Sequence, residues 1–364
     1  MAGGVGREVF DALYGENVDF NQVEFSVDIE KLKRIYDDMM VRSGADFLFD
    51  CTLIGVQAEN GSISSVVLQG HEQMFAVQAK TYIDCTGDGT LAVMAGALAE
   101  KGDANGRMMP ATLCSLWNNV DWDRAVVIVG QDPDNRNLPQ AFEDGVFSVK
   151  DSSLPGMWHL PSGMGGGNIG HVFAVDGTNE QDITRGIIDA RHRMVEYEFY
   201  YNHYLEGYEN AKVVSTGSVL GFRETRRILG EYVLSNEDYA NRASFEDEIG
   251  RYCYPIDLHP VLPDAAKSQY EEDYLKGYGK GNSYGIPYRC LLPKGTTNLL
   301  VAGRCISTSR EMNGSTRVMP CCFITGMAAG AAAALAKESS VRDISISELQ
   351  KNLKKLGAYL PNAM

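Results

Sequence analysis

The chain has 364 residues, 44% of them hydrophobic and 22% charged, with 38 glycines, the profile of a globular rather than a disordered protein. Its formal net charge of −15 argues against nucleic acid as the main partner, because nucleic-acid binders carry basic patches. The eight cysteines include no C-x-x-C pair, so the usual zinc and ferredoxin-type signals are missing, and most of them read as small buried hydrophobes in a reducing compartment.

The opening MAGGVGREVF has neither a basic n-region nor an apolar h-region. The most apolar run, Cys321 to Ala336, spans 16 residues, short for a membrane crossing. Together these features predict a cytoplasmic chain that does not engage a membrane. The length suits two domains, or one large domain interrupted by an insertion.

In chain order, a helix is predicted over 28–43. Asp28 can cap it, Ile29, Leu32, Ile35, Met39 and Met40 recur at helical spacing, and Gly44 can end it. A strand is expected over 47–58, then the turn Asn60-Gly61, a return strand over 63–69 and a third over 73–79. The stretch TYIDCTGDGTLAVMAGA, 81 to 97, reads as a buried strand, a Gly-Asp-Gly turn and an Ala-rich helix that Asp88 can cap. From 105 to 285 the texture is irregular, apart from a helix near 180–205 with Ile183, Ile187, Ile188 and Met194 on one side. Sheet texture returns from Ile286, with a strand at 298–302, a loop at 303–316 and a helix starting near Pro320. Ser315 or Thr316 can cap that helix, and Gly326 and Gly330, four apart, give it a smooth face suited to close packing on a sheet. A short helix over 345–356 closes the chain.

Sheet pieces on either side of a different central region predict one nucleotide-binding domain whose chain leaves and returns. The expected divisions are 1–104 and 286–340 for that domain, 105–285 for an inserted substrate-binding region, and 341–364 for a C-terminal helix and tail.

Several motifs in series carry a resemblance: YIDCTGDGTLAVMAGA, FRETRRILGEYVL, YPIDLH, IPYRCLLPKGTTNLLVAGRCIS and RVMPCCFITGMAAGAAAAL. With VDIEKLKRIYDDMM they look like the FAD-dependent oxidoreductase family. That family is similar to the flavin portion of heterodisulfide reductase and, more distantly, to glutathione-reductase-type flavoproteins. The likeness runs from about residue 3 to residue 337. It implies an α/β fold: a Rossmann-like FAD/NAD(P)-binding domain with an inserted α+β substrate domain. It also implies FAD as cofactor, and a 4Fe-4S centre only through the heterodisulfide reductase likeness. By the same resemblance Thr86, Gly87 and Asp88 form the second FAD-contact motif. Gly303 and Arg304 approach the ribityl and pyrophosphate portion, and the amides near Arg317, Val318 and Met319 face the pyrimidine edge of the flavin.

Such flavoproteins open with a strand and a G-x-G-x-x-G turn that seats the pyrophosphate on a helix N-terminus. GGVGRE at 3–8 lacks a preceding strand and the third glycine. GGGNIG at 165–170 fits the pattern literally, but HVFAVDG after it reads as a strand, not a helix. The first βαβ unit is therefore expected to be missing by N-terminal truncation, FAD binding to be impaired, and a partner chain or upstream segment to supply the unit.

The central region holds the chemical candidates. Arg223, Arg226 and Arg227 stand close together in an acidic chain, and arginine forks suit a carboxylate or a phosphate. Internal pairing with Glu224 and Glu231 is the competing reading. YPIDLH offers Asp257 and His259, and histidine is a natural proton donor or acceptor beside a flavin. His159 and His171 flank the glycine loop and stand behind His259. The expected catalytic set is His259 oriented by Asp257, with Arg223 or Arg226 holding an anionic small-molecule substrate, and no metal ligands. An inactive fragment or subunit, and an electron-relay subunit with an iron–sulfur centre, are the alternative functions.

Overall fold

The computed structural model describes residues 3–16, 18, 26–125, 135–154, 156–263, 281–337 and 339–363. The helix Ile29–Ser43 forms as its pattern predicts. Asp28 accepts a hydrogen bond from the Lys31 amide at 2.9 Å, and Gly44 closes it in the left-handed region. None of its residues is buried. The strands Thr52–Glu59, Ser62–Gln69 and Met74–Val77 then form an antiparallel sheet. Asn60 and Gly61 both take positive φ, 49° and 78°, as a tight two-residue hairpin requires.

The strand expected from residue 47 starts only at Thr52. Residues 45–51 pair with no other strand among the described residues, and Leu48 and Phe49 are 69% and 72% exposed. A run of this composition is strand-like only when a neighbour takes its backbone groups and side chains.

Tyr82–Asp84 pairs in parallel with Leu299–Val301, joining stretches more than two hundred residues apart. Around this pair lies the main core, with Ile249, Tyr284, Leu300, Ile324 and Ala328 among its buried members. A separate apolar cluster occupies the central region and includes Trp117, Ile169, Met194, Tyr197 and Tyr200. Its sheet runs Lys212–Thr216, Ser115–Asn118, Gly165–Asn168, Gly156–His159, all antiparallel. GGGNIG is thus part of a strand. A Cβ at Gly167 would stand 2.7 Å from the Ser115 hydroxyl and 3.0 Å from the Trp117 indole nitrogen, so packing explains this glycine. On the helix Glu180–Tyr204, Met194 is buried, but Ile188 of the expected face is 50% exposed; the tyrosines at 197, 200 and 201 fill the interior instead.

The C-terminal half departs from expectation at several points. The loop 303–316 contains the helix Arg310–Thr316, capped by Ser309. Ser315 and Thr316 therefore belong to that helix and do not cap the next one, whose N-cap is Val318 with no side-chain bond. The next helix runs Met319–Ala336, with Pro320 in its first turn. At 18 residues and a mean hydropathy of 1.6 it is long and apolar enough to cross a membrane; here it packs on the strand Glu248–Tyr252 and the helix Ile346–Lys355. Its buried face is Cys321, Ile324, Thr325, Ala328, Ala329, Ala332 and Ala336. A Cβ at Gly326 or Gly330 would meet nothing within 4 Å, so the expected close-packing face is open.

Glu224, fully buried, ties the central region to the rest. It accepts from the Met109 amide at 2.6 Å and pairs with Arg310 at 2.9 Å and Arg227 at 3.4 Å. Glu224→Ala would take from Arg310 its one carboxylate among the described residues and leave Arg227 only Glu100 at 3.8 Å, and we expect a loss of about 3–5 kcal/mol in denaturant unfolding.

Candidate functional site

Two groups of residues adjoin one another. The first is a seam where the turn after Tyr82–Asp84 meets the turn after Leu299–Val301. Asp84, buried, accepts from the Thr86 amide and hydroxyl at 2.9 and 2.7 Å, and from the Ala92 amide at 2.9 Å, which fixes the turn. Gly87 and Gly89 have φ of 78° and 62°. The helix Thr90–Met94 has Gly89 as N-cap, and Asp88 does not cap it. The Asp88 carboxylate instead accepts from Arg304 and from the Thr225 hydroxyl. Arg304 also donates to the carbonyls of Gly87 at 3.1 Å and Phe222 at 3.0 Å. Arg304 and Asp88 therefore serve as an internal clamp. Arg226, expected beside the substrate, lies at this seam, donating to the Asp88 carbonyl at 3.3 Å.

Gly303 has φ of 83°, and its amide donates to the Thr325 hydroxyl at 3.0 Å. A Cβ there would meet only the Cys322 sulfur, at 3.9 Å. The Met319–Ala336 helix begins nearby, its first residue 51% exposed and its amide end uncapped by any side chain. A helix start of this kind presents partial positive charge. Beside Met319 and Pro320 an apolar cavity of about 510 Å³ opens, lined by Phe10, Tyr14, Tyr36, Tyr252, Tyr254 and Phe323 among others.

The second group is a polar cluster reached through Arg317. This residue precedes the helix start, and its guanidinium holds Asp257, at 2.6 Å from the carboxylate and 3.2 Å from the carbonyl. Asp257 Oδ1 lies 3.2 Å from His259 Nε2. The His259 ring stands perpendicular to that of His171, centroids 5.0 Å apart. His171 Nδ1 lies 2.9 Å from Asp151 Oδ2, with both side chains buried. Arg223, also buried, donates to the Pro110 carbonyl at 2.7 Å and the Thr112 hydroxyl at 2.8 Å. Thr112 is the cross-strand partner of His171, so the pairing of Ala111–Thr112 with His171–Val172 sets the distance between arginine and histidine.

The structure thus brings His259, Asp257 and Arg223 together and leaves Arg226 outside. It adds His171, Asp151 and the side chain of Arg317. No spacing rule links residues 151, 171, 223, 257 and 317; the glycine run before His171 was the only local signal. Arg227 is the internally paired arginine of the FRETRR stretch, bound to Glu224.

Burial pushes the His259 pKa down to about 4, against the hydrogen bond with Asp257. Burial likewise lowers His171, with Asp151 opposing. Burial would raise Asp257, but the imidazole and the charges of Arg317 and Arg223 overcome it and leave it at about 2. Arg223 is lowered to about 10, first by burial and then by Arg317, and stays charged at neutral pH. Among the described residues no three His, Cys, Asp or Glu side chains could together hold a metal ion, and all eight cysteines are free. The 4Fe-4S expectation therefore finds no support.

Unfolded His259 takes a proton near pH 6.5, the folded residue only near 4. Between these values the unfolded chain binds more protons, so stability is complete above 6.5 and is lost as pH falls toward 4. The shift corresponds to on the order of 3 kcal/mol. Melting temperatures measured from pH 7 to pH 4.5 should fall, and His259→Gln should flatten that fall.

Comparison with known proteins returns one structural likeness and one family. No curated protein matches the chain. A geranylgeranyl bacteriochlorophyll reductase-like protein from Thermoplasma acidophilum is 14% identical, with a TM-score of 0.37. The match covers 90% of this chain and 58% of that one, so the chain spans under two thirds of that protein's length. The family model described as FAD dependent oxidoreductase matches residues 1–353. On that match across nearly its whole length, the chain belongs to the FAD-dependent oxidoreductase family.

Proposed function

We propose that the chain acts as an FAD-dependent oxidoreductase on a small anionic molecule. The observation that carries this reading is the placement of Arg317. Its backbone leads into the uncapped helix start beside Gly303, and its side chain organises the buried His–Asp–Arg cluster. One residue thus links a surface fit for a flavin to a buried polar cluster fit for a substrate group.

The seam passes a simple test of fit. Gly303 leaves open space where any other residue would place a side chain. The amides at Val318 and Met319 stand at a helix start that can stabilise negative charge. FAD bound here would exchange hydride or electrons with the substrate. Thr86, Gly87, Asp88 and Arg304 shape the floor of the seam through their mutual bonds, and Arg226 buttresses it. In the cluster, Arg223 is a buried guanidinium with no carboxylate within 4 Å among the described residues, and it takes the anionic group of the substrate. His259 moves a proton, oriented by Asp257. The central region, with its own core, forms the substrate side.

A strand–glycine turn–helix unit that seats the pyrophosphate is the second part of the proposal, supplied by a partner chain or a preceding segment. A short sheet and three open surfaces support it. Tyr82–Asp84 and Leu299–Val301 form a sheet of only two strands among the described residues, with their side chains largely buried. Residues 47–49 expose three large apolar side chains. No residue of the helix Ile29–Ser43 is buried, and the Gly326 and Gly330 face is bare. A βαβ unit added beside Tyr82–Asp84 would cover surfaces of this kind.

FAD titration followed by flavin fluorescence tests both parts. The chain alone should bind weakly, and adding a polypeptide that carries the glycine-rich unit should give stoichiometric binding. Gly303→Ala should cost about 1–2 kcal/mol of stability from its left-handed backbone and weaken FAD binding in the assembled protein. Tight binding by the chain alone would remove the supplied unit from the reading. Failure to bind FAD even with the unit present would remove the flavin.

A further inference from the structure

The polar cluster is balanced in charge before any ligand arrives. Arg223 and Arg317 contribute two positive charges, and Asp151 and Asp257 two negative charges. The imidazoles of His171 and His259 are neutral at neutral pH. Cys114, close to Arg223, is a neutral thiol because burial raises it, and the Tyr197 phenol near Asp151 is neutral for the same reason. An anion entering alone would leave one buried negative charge uncompensated, which is expensive.

Among the described residues four buried nitrogens in the cluster lack a well-aligned hydrogen bond: His171 Nε2, His259 Nδ1, Arg317 Nε, and His171 Nδ1, which nevertheless stands 2.9 Å from Asp151 Oδ2. The two histidines are not equivalent. Asp257 is shared between His259 and Arg317, so its charge is already largely answered. Asp151 faces His171 at 2.9 Å and, among the described residues, otherwise accepts only from the Ser153 amide of its own turn at 3.0 Å. The Asp151 carboxylate is therefore the one able to stabilise an imidazolium. It sits on Nδ1, which leaves Nε2 as the basic nitrogen of His171.

We infer that the cluster binds a small carboxylate on Arg223 together with one proton, and that the proton is taken from solvent by His171 Nε2 with Asp151 behind the ring. The inference rests on reading this cluster as the substrate pocket. It narrows the substrate to carboxylates and makes His171 the proton-holding residue beside the one expected from sequence. Proton and carboxylate enter as a neutral pair, so the buried charge balance is kept.

Acetate and succinate are the probes, used on the full chain without FAD at pH 7. Binding heats measured in two buffers of different ionisation enthalpy should show about one proton taken up per carboxylate bound. The imidazole nitrogen signal that disappears in His171→Gln should move toward its protonated position when succinate is added. Arg223→Lys should weaken binding at least tenfold, and His171→Gln should abolish the proton uptake. Binding without proton uptake, uptake that persists in His171→Gln, or no binding by the wild-type chain would each overturn the inference. The wild-type imidazole signal alone decides the matter if a variant does not fold. Because FAD is absent throughout, failure here leaves the flavin reading standing. A chain that takes carboxylate with a proton yet never binds FAD would sink the flavin reading alone.

Discussion

The guanidinium of Arg304 is the fastening on which the rest of the site depends. It binds the Gly87 carbonyl, the Asp88 carboxylate and the Phe222 carbonyl at once, joining three stretches that lie far apart in sequence. Arg223 follows Phe222 directly, so the bond that closes the seam also sets where the buried guanidinium of Arg223 stands. A planar fork with several fixed donors can do this, whereas a lysine ammonium could reach the same atoms only one geometry at a time. The cost is that Arg304 and Asp88 are used up by architecture. A ligand in the seam meets glycine backbone and helix-start amides before it meets any charged side chain.

Local patterns were readable from sequence where the chain's own neighbours decide the outcome. Asp28 and Gly44 bound a helix because capping is a matter of three or four residues. Asn60-Gly61 made a hairpin because only its own backbone angles were at stake. The parallel strands followed from apolar runs ended by glycine. Expectations failed where a distant partner intervened. Asp88 would cap a helix if left alone, but Arg304 and Thr225 claim its carboxylate. Arg226 looked equivalent to Arg223, yet the strand Arg226–Ile228 turns it to the seam. His171 joined the site because a two-residue strand pairs it with Thr112, and nothing in the composition foretells that pairing. The strand from residue 47 failed for the opposite reason: the pattern is present, but among the described residues no neighbour pairs with it.

The same reasoning separates the two kinds of exposed surface on this chain. Single exposed apolar residues are ordinary on any protein. Here, however, exposure gathers at places whose side chains are built for contact: the apolar run at 47–49, an amphipathic helix with no buried residue, and a glycine-bare helix face. Each would be costly to keep in water alone, and each is geometrically suited to α/β packing. The polar cluster, by contrast, is enclosed and balanced in charge.

The three tryptophans, Trp117, Trp122 and Trp158, all lie in the central region, and Trp117 is fully buried in its core. The main core around the parallel pair contains none of them. Intrinsic indole emission therefore reports on one half of the molecule and is silent about the other. Followed beside far-ultraviolet circular dichroism, which reports on both halves, that emission separates the cores: coincident transitions mean that they melt as a single unit, and separated ones mean that the Glu224 and Arg304 junction yields first.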